Sequence, residues 1–409
     1  MNIGIICEYN PFHYGHIYHL EKIKDLYPDS NIILVMSGNI TQRGEISLIN
    51  KWDKALLALK YGVNLVVELP SIFCQSADIF AKGAISILNE LNVDKIVFGS
   101  ELNDKDILIK LAQAQLSDNY ELLIQKYLKE NSYPKACNLA LKEMTNLEIN
   151  TPNDLLGLSY TKEIIKNNYN IDIVTIKRTN DYHSKKLLKI SSATSIREAL
   201  KNNIDISSYV PKEAKNKINK SLRLENYFSL LKYKILSSDD LTIYNDVNDN
   251  LANRIKKNII NSENLEDLIF KIKTKKYTYN RIKRILLFIL LDFKKVDNEP
   301  TVKYIRILGF DSKGKSYLKK IKDNTSLPII TNYSNSNGLL KFEDKINSIL
   351  SLVLDEAEQS EFINRDLKEI VRKIDCWLYK KDNIHIEGII FFVVLKIFII
   401  NVNRVNDGF

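Results

Sequence analysis

Apolar residues in the first 200 positions come in short runs separated by stretches where they recur every three or four residues. The runs at 3–7, 32–36, 65–68, 95–98 and 171–176 are rich in β-branched side chains and predict strands. The stretches at 16–26, 52–61, 77–91 and 104–116 gather their apolar residues on one helical face and predict helices. Strands spaced by helices read as βαβ units, hence an α/β fold with a parallel, doubly wound sheet. A helical insertion is expected over about 118–168, ahead of the last strand. Near 205–211 the rhythm stops, and the rest is rich in Lys, Asn, Ile and Leu at mostly helical spacing. Two domains follow: an αβ domain over 1–204 and a mainly helical region over 205–409.

Ligands of parallel sheets bind beyond the carboxyl ends of the strands. EYNPFH, MSGN, ELP and FGSE all occupy that position, each following a strand. Four polar, turn-rich junctions at one edge make a site, where any one alone would be a loop.

Composition narrows the class. Four scattered cysteines form no CxxC or CxxH pair, which argues against structural zinc and disulfides and fits a reducing cytoplasm. No export signal is visible at the start. The longest apolar run, 388–400, is interrupted by Lys396 and is shorter than the roughly 18 to 20 residues of a membrane span. A buried strand or core helix is the better reading. The net charge is +9, yet residues 1–200 hold 22 basic against 23 acidic residues. The basic excess therefore lies in the second half, as expected if one half does chemistry and the other meets a polyanion.

Two of only five histidines, His13 and His16, flank Gly15 just after the first predicted strand. A metal site, a packed helix start and a phosphate-handling device could each explain them. The chain has neither GxGxxG nor GxxxxGK[ST], which removes the usual dinucleotide and P-loop fingerprints. His13, His16 and His19 stand at i, i+3 and i+6, but no carboxylate or cysteine of ligand spacing completes a metal face, so no metal is expected to be bound by the protein. A helix beginning near His16 would offer free N–H groups and a partial positive charge to an anion. Two imidazoles beside them suit stabilisation of charge during attack on the α-phosphorus of ATP.

A second element, 190–200, opens a predicted helix with Ser192 and Thr194 and adds Arg197 as a fixed cation for departing pyrophosphate. A third, 271–284, holds seven basic residues and no acidic one, with two tyrosines among them. Lys273, Lys275, Lys276, Arg281 and Arg284 would neutralise phosphates while Tyr277 and Tyr279 stack on unpaired bases, as expected of RNA contact. A solvated helix face is the plainer reading of that charge run.

Together these segments resemble the bacterial tRNA(Met) cytidine acetate ligase family, whose N-terminal domain is a Rossmann-like HxGH nucleotidyltransferase. The similarity rests on EYNPFHYGH at 8–16, MSGNITQRGE at 36–45, KWDKA at 51–55, VVELP at 66–70, FGSE at 98–101, PNDLLGLSY at 152–160, DYH at 181–183 and SSATSIR at 191–197. TKKYTYNRIKRILL at 274–287 and YIRILGF at 304–310 extend it into the second half. Tyr14 stands where many members carry Asn, and Ile40 where an aromatic is common.

The resemblance implies that acetate and ATP, with magnesium, give an acetyl-adenylate. The acetyl group then passes to the wobble cytidine of elongator tRNA(Met), giving N4-acetylcytidine. It maps nucleotide binding onto Cys7, Glu8, Tyr9, Asn10, Pro11, Phe12, His13, Tyr14, Gly15, His16, Ile17, Tyr18, His19 and Leu20, with Gly99, Asn153 and Arg178 as further ATP contacts. His13, His16 and Arg197 are the expected catalytic residues. The polar turn holding Ser37 and Asn39, with Arg43, is expected to border the acetate pocket. Residue spacing alone reaches adenylyl transfer and a polyanion partner; acetate, cytidine and tRNA(Met) come from the resemblance. Two other functions remain open on the sequence: a small-molecule adenylyltransferase, and an RNA-binding protein whose nucleotide site is only a sensor.

Overall fold

The computed structural model describes residues 1–178 and 192–368 and the strand at 372–374. The run at 388–400, expected as a buried strand or core helix, the DYH segment and Ser191 lie outside the described residues. Five parallel strands, β1 (Asn2–Cys7), β2 (Asn31–Ser37), β3 (Leu65–Leu69), β4 (Lys95–Ser100) and β5 (Asp172–Lys177), form where the apolar runs predict them. Helices α1 (Tyr14–Leu26), α2 (Lys51–Lys60), α3 (Ala77–Glu90) and α4 (Lys105–Gln115) connect the first four and lead on from β4. Strand order is β5-β4-β1-β2-β3, so the chain reverses its direction of travel across the sheet at β1. The crevice between β1 and β4 is the topological switch point where such sheets bind ligands.

The insertion holds α5 (Asp118–Leu128), α6 (Tyr133–Thr145) and α7 (Pro152–Lys166). α5 and α6 pack on each other and on α4, and their Tyr120, Ile124, Ala140 and Leu141 belong to the core on this side of the sheet. Leu158 and Tyr160 of α7 are buried in the sheet's own core, and α7 feeds β5. After β5 come α8 (Ala193–Lys201) and α9 (Lys212–Lys215), then α10 (Phe228–Ser237), α11 (Asp249–Ile259), α12 (Leu265–Ile272) and α13 (Tyr279–Leu290). These last four pack around their own apolar core, which includes Leu231, Ile255, Ile269 and Leu286. Truncating one such fully buried side chain to Ala costs about 2–5 kcal/mol.

The second half is not helical throughout. β6 (Ile305–Asp311) runs antiparallel to β3 and extends the sheet. After α14 (Ser312–Ile321), the short β7 (Ile329–Ile330) pairs with the start of β6. Beyond α15 (Lys341–Ser351) and α16 (Glu356–Lys368), β8 (Arg372–Ile374) pairs with its end. Beyond the expected boundary at 205–211 the sheet thus continues with strands from the second half, β6, α14 and β7 forming one more parallel β–α–β step. Arg306, the second residue of β6, breaks its apolar pattern, yet it is fully buried over the Trp52 ring and near Asp366. Among the described residues no helix is long and apolar enough to cross a membrane.

Candidate functional site

β1 ends at Cys7, and Glu8 to Phe12 turn the chain over the carboxyl edge of the sheet before α1 begins. Tyr9 takes the left-handed backbone region, φ 49°, which an L residue holds only where its surroundings enforce it. Its ring packs edge-on against Phe12 and His16, and Phe12 stacks beneath His16. These buried aromatics fix the histidine turn from below. A cleft of about 220 Å³ opens above it, lined from β1, α1, β4, α7 and α8 and from the loop after β2.

His13 caps α1. Its Nδ1 accepts the Gly15 N–H at 3.0 Å, while the His13 N–H is donated to His16 Nδ1 at 3.2 Å. The two rings stack 3.7 Å apart. With both Nδ1 atoms accepting, the proton of each neutral ring sits on Nε2. Burial, then the nearby Arg178 and Arg197 charges, push His13 down to about 3. His16 is held well below its ordinary value by burial, then by His13, His19 and Arg178. Both therefore stand as neutral hydrogen-bond donors at pH 7.

The helix start works differently from the expectation of free N–H groups. Tyr14 N–H goes to the Tyr209 carbonyl, Gly15 N–H to His13, and His16 N–H to the His13 carbonyl. An anion at this turn would meet imidazole Nε2–H groups rather than the backbone, because the ring nitrogen and carbonyl of the capping His13 already accept the first N–H groups of the helix.

The opposite wall comes from β4, α7 and the end of β5. Asp154 accepts from Ser100 Oγ and from the Leu102 N–H, fixing the first turn of α7 to the end of β4. Asn153 donates to Glu101 at 2.6 Å, and Arg178 Nε lies 3.2 Å from the same carboxylate. Gly99 lies beneath Arg178, where a Cβ would come 3.2 Å from its side chain. α8 closes the cleft. Ser192 caps it by accepting the Ser195 N–H, and Ala193 and Thr194 line the cleft. Arg197 donates to the Asn10 carbonyl at 2.6 Å and to Thr194 at 3.3 Å, and pairs with Glu45 at 2.9 Å.

Glu45 ties the two halves together. It also pairs with Lys283 of α13 at 3.1 Å, and these charges hold its carboxyl below the ordinary range despite burial. The loop carrying it folds back through an Ile40–Ile46 bridge, and both isoleucines enter the helical core of the second half. At Gly44, φ 73°, a Cβ would stand 2.5 Å from the Arg284 backbone nitrogen, so only glycine fits against α13. Arg284 donates to the Gln42 carbonyl at 3.4 Å. The loop bearing Gln42 and Arg43, which both line the cleft, is thus clamped to the basic helix.

Sequence reasoning assigned no role to Lys54, which is fully buried. Its Nζ donates to the carbonyls of Glu8, Ser37 and Gly38 at 3.0, 2.8 and 2.8 Å, joining the ends of β1 and β2. Burial lowers it to about 8. A lysine in the apolar-periodic α2 was the available signal, since a buried lysine needs acceptors.

The structure brings Cys7, Glu8, Tyr9, Asn10, His13, Gly15, His16, Tyr18, His19, Gly99, Asn153, Arg178, Ser192, Thr194 and Arg197 to one cleft. Pro11, Phe12 and Leu20 are buried beneath it, Tyr14 is exposed, and Ile17 is not among the lining residues. Of the acetate-pocket candidates only Arg43 lines the cleft. Ser37 is buried, and Asn39 is spent on the Lys51 N–H and on Asn347.

The basic stretch is split. Lys273, Lys275 and Lys276 are exposed in the α12–α13 loop. Arg281 makes a two-pronged pair with Asp246 at 2.6 and 3.0 Å, Arg284 is mostly buried, and the Tyr277 and Tyr279 hydroxyls donate to Asn248 and Glu266. Among the described residues no group of three His, Cys, Asp or Glu side chains could hold a metal ion.

The chain matches the HIGH Nucleotidyl Transferase family over residues 1–365. It is 40% identical over 373 residues to the tRNA(Met) cytidine acetate ligase of Caldicellulosiruptor saccharolyticus, covering 85% of this chain and 93% of that one. It is 42% identical over 302 residues to the Mycoplasma mobile protein of the same name, covering 72% of this chain and 100% of that one. The crystal structure of Thermotoga maritima TmcAL superposes with a TM-score of 0.84 at 30% identity, covering 91% and 99% of the two chains. A second form of that protein, bound with alpha-thio ATP, gives 0.81 at 29% identity and the same coverage.

Proposed function

We infer the reaction from one premise: the chain belongs to the HIGH nucleotidyl transferases and, among them, to the tRNA(Met) cytidine acetate ligase family. It is an ATP-dependent ligase that acts on tRNA(Met). In our reading acetate attacks the α-phosphorus of ATP, pyrophosphate leaves, and the acetyl-adenylate passes its acetyl group to N4 of the wobble cytidine. A free carboxylate is inert toward such an amine until it carries a leaving group, which is why adenylation precedes transfer.

The observation that carries this reading is the stacked His13–His16 pair facing one cleft with Arg178 and Arg197. Neutral Nε2–H donors and fixed guanidinium groups stabilise charge growing on phosphate oxygens without having to reorganise. Magnesium enters with the nucleotide, as the counter-ion of its phosphates. Arg43 is our candidate partner for the acetate carboxylate, and Arg43→Ala should raise the KM for acetate. The exposed Lys273, Lys275 and Lys276 are our candidates for phosphate contact with elongator tRNA(Met).

Incubation with labelled acetate, ATP, magnesium and unmodified elongator tRNA(Met), followed by nucleoside analysis, tests the whole reading. Label in N4-acetylcytidine is expected. Pyrophosphate release with another carboxylate or acceptor, and no label, would keep the adenylyl chemistry and overturn the substrates.

A further inference from the structure

A carboxylate opposes a polyphosphate, so its presence in this cleft calls for another task. Among the described lining residues Glu8 is the only carboxylate, set among Arg43, Lys177, Arg178 and Arg197. It is the first residue after β1, at the crevice with β4 where the strand order reverses. Its carboxylate accepts the Gln42 N–H at 2.6 Å, and its own carbonyl accepts from Lys54 at 3.0 Å. Side chain and backbone are thus both held in place.

Transfer of an acetyl group to N4 of cytidine needs a proton acceptor. As the amine attacks, its nitrogen becomes cationic and must lose a proton. His13 and His16 cannot take it, because each uses Nδ1 to accept a backbone N–H and so carries its proton on Nε2. Burial pushes the Cys7 thiol up to about 12 and the Tyr9 and Tyr160 hydroxyls well up, so these groups keep their protons. The His19 ring is held down to about 4 by burial and Arg178, which makes it a poor base. Glu8 itself is raised by burial and by Glu45, against Arg43, the Gln42 N–H and Lys54, with a net rise above the ordinary carboxylate value. A carboxylate raised in this way is a stronger base than an ordinary one.

We propose that the Glu8 carboxylate accepts the proton that N4 of the target cytidine loses as it attacks the acetyl carbonyl. The step rests on the ligase reading above. A C–N bond forms, the bond from the acetyl carbon to the AMP oxygen breaks, and its electron pair leaves with AMP. The N4 proton moves to Glu8, which returns it to water before the next turnover.

Glu8→Gln tests this, because the amide oxygen still accepts the Gln42 N–H while basicity is lost. Two readouts separate the half-reactions: acetate-dependent exchange of labelled pyrophosphate into ATP without tRNA, and single-turnover transfer to unmodified elongator tRNA(Met). Transfer should fall about 10²–10⁴-fold. Exchange should fall by less than about tenfold, and Glu8→Asp should recover part of the transfer rate. The wild-type transfer rate should drop as pH falls through the Glu8 titration, and Glu8→Gln should lose that limb. Equal losses in exchange and transfer would reduce Glu8 to a holder of the Gln42 loop and end the proposal. Unchanged transfer, or an acidic limb that survives in Glu8→Gln, would end it as well. A wild-type protein that makes no N4-acetylcytidine would overturn the ligase reading and the base with it; the other failures touch the base alone.

Discussion

The histidine turn and the basic stretch at 271–284 look alike in sequence, since each crowds polar groups next to an apolar element. The fold uses them in different ways. At the turn nearly every polar group serves the cleft: the imidazoles cap the helix through Nδ1, which leaves Nε2–H for the ligand side. In the basic stretch the charges divide. Lys273, Lys275 and Lys276 stay exposed, whereas Arg281, Lys283 and Arg284 are drawn into contacts with Asp246, Glu45 and the Gln42 carbonyl. The difference teaches that a run of charge is two populations, one available to a polyanion and one that joins the halves of the molecule.

The largest effect should come from the turn. His16→Ala removes a donor from the phosphate side, and acetate-dependent pyrophosphate exchange should fall about 10²–10³-fold. Its tRNA affinity should be nearly unchanged, and a matching loss there would erase the contrast between the regions. Replacing Lys273, Lys275 and Lys276 together with Ala should do the reverse. Affinity for tRNA should fall at least about tenfold, with a salt slope smaller by about 2, while exchange persists.

Lys283→Met sharpens the comparison from inside the stretch. It takes one cation from Glu45, whose other ion pair positions Arg197, so exchange should slow about tenfold while the tRNA salt slope stays put. A changed slope with normal exchange would return Lys283 to the phosphate-facing group.

Acid should weaken the turn selectively. His13 titrates near 3 in the fold, well below an unfolded histidine at about 6.5. The unfolded chain therefore binds the extra proton between these values. Stability is fully present above about 6.5 and is lost as pH falls toward 3. A Tm series from pH 7 to 4 should show this, with a shallower fall in His13→Gln. The smallest effect is Arg281→Ala. Its pair with Asp246 is about one third exposed, so about 1 kcal/mol or less of stability is at stake and the salt slope should not move.

Five strands and four helices of the first half were legible because their apolar runs and periodicities are local signals. β6 was not. Its pattern is broken by Arg306, which is accommodated only because Trp52 and Asp366 surround it after folding. The site was legible to a similar depth. His13, His16, Arg178 and Arg197 reach one cleft as expected, but Ser37 and Asn39 belong to the support behind it, where their polar groups are buried or spent on neighbours. Lys54 escaped notice because its partners are backbone carbonyls, which no residue type advertises.

The sequence by itself determined the parallel sheet, its loaded carboxyl edge and the histidine turn, since strand periodicity, capping and short-range turn chemistry act within a few residues. Only the tertiary structure decided which basic residues face solvent, that Glu45 joins Arg197 to Lys283, and that the second half completes the sheet. Those outcomes depend on pairings between residues far apart in the chain, and burial, which sets both the charge partners and the proton affinities, exists only once the chain has closed on itself.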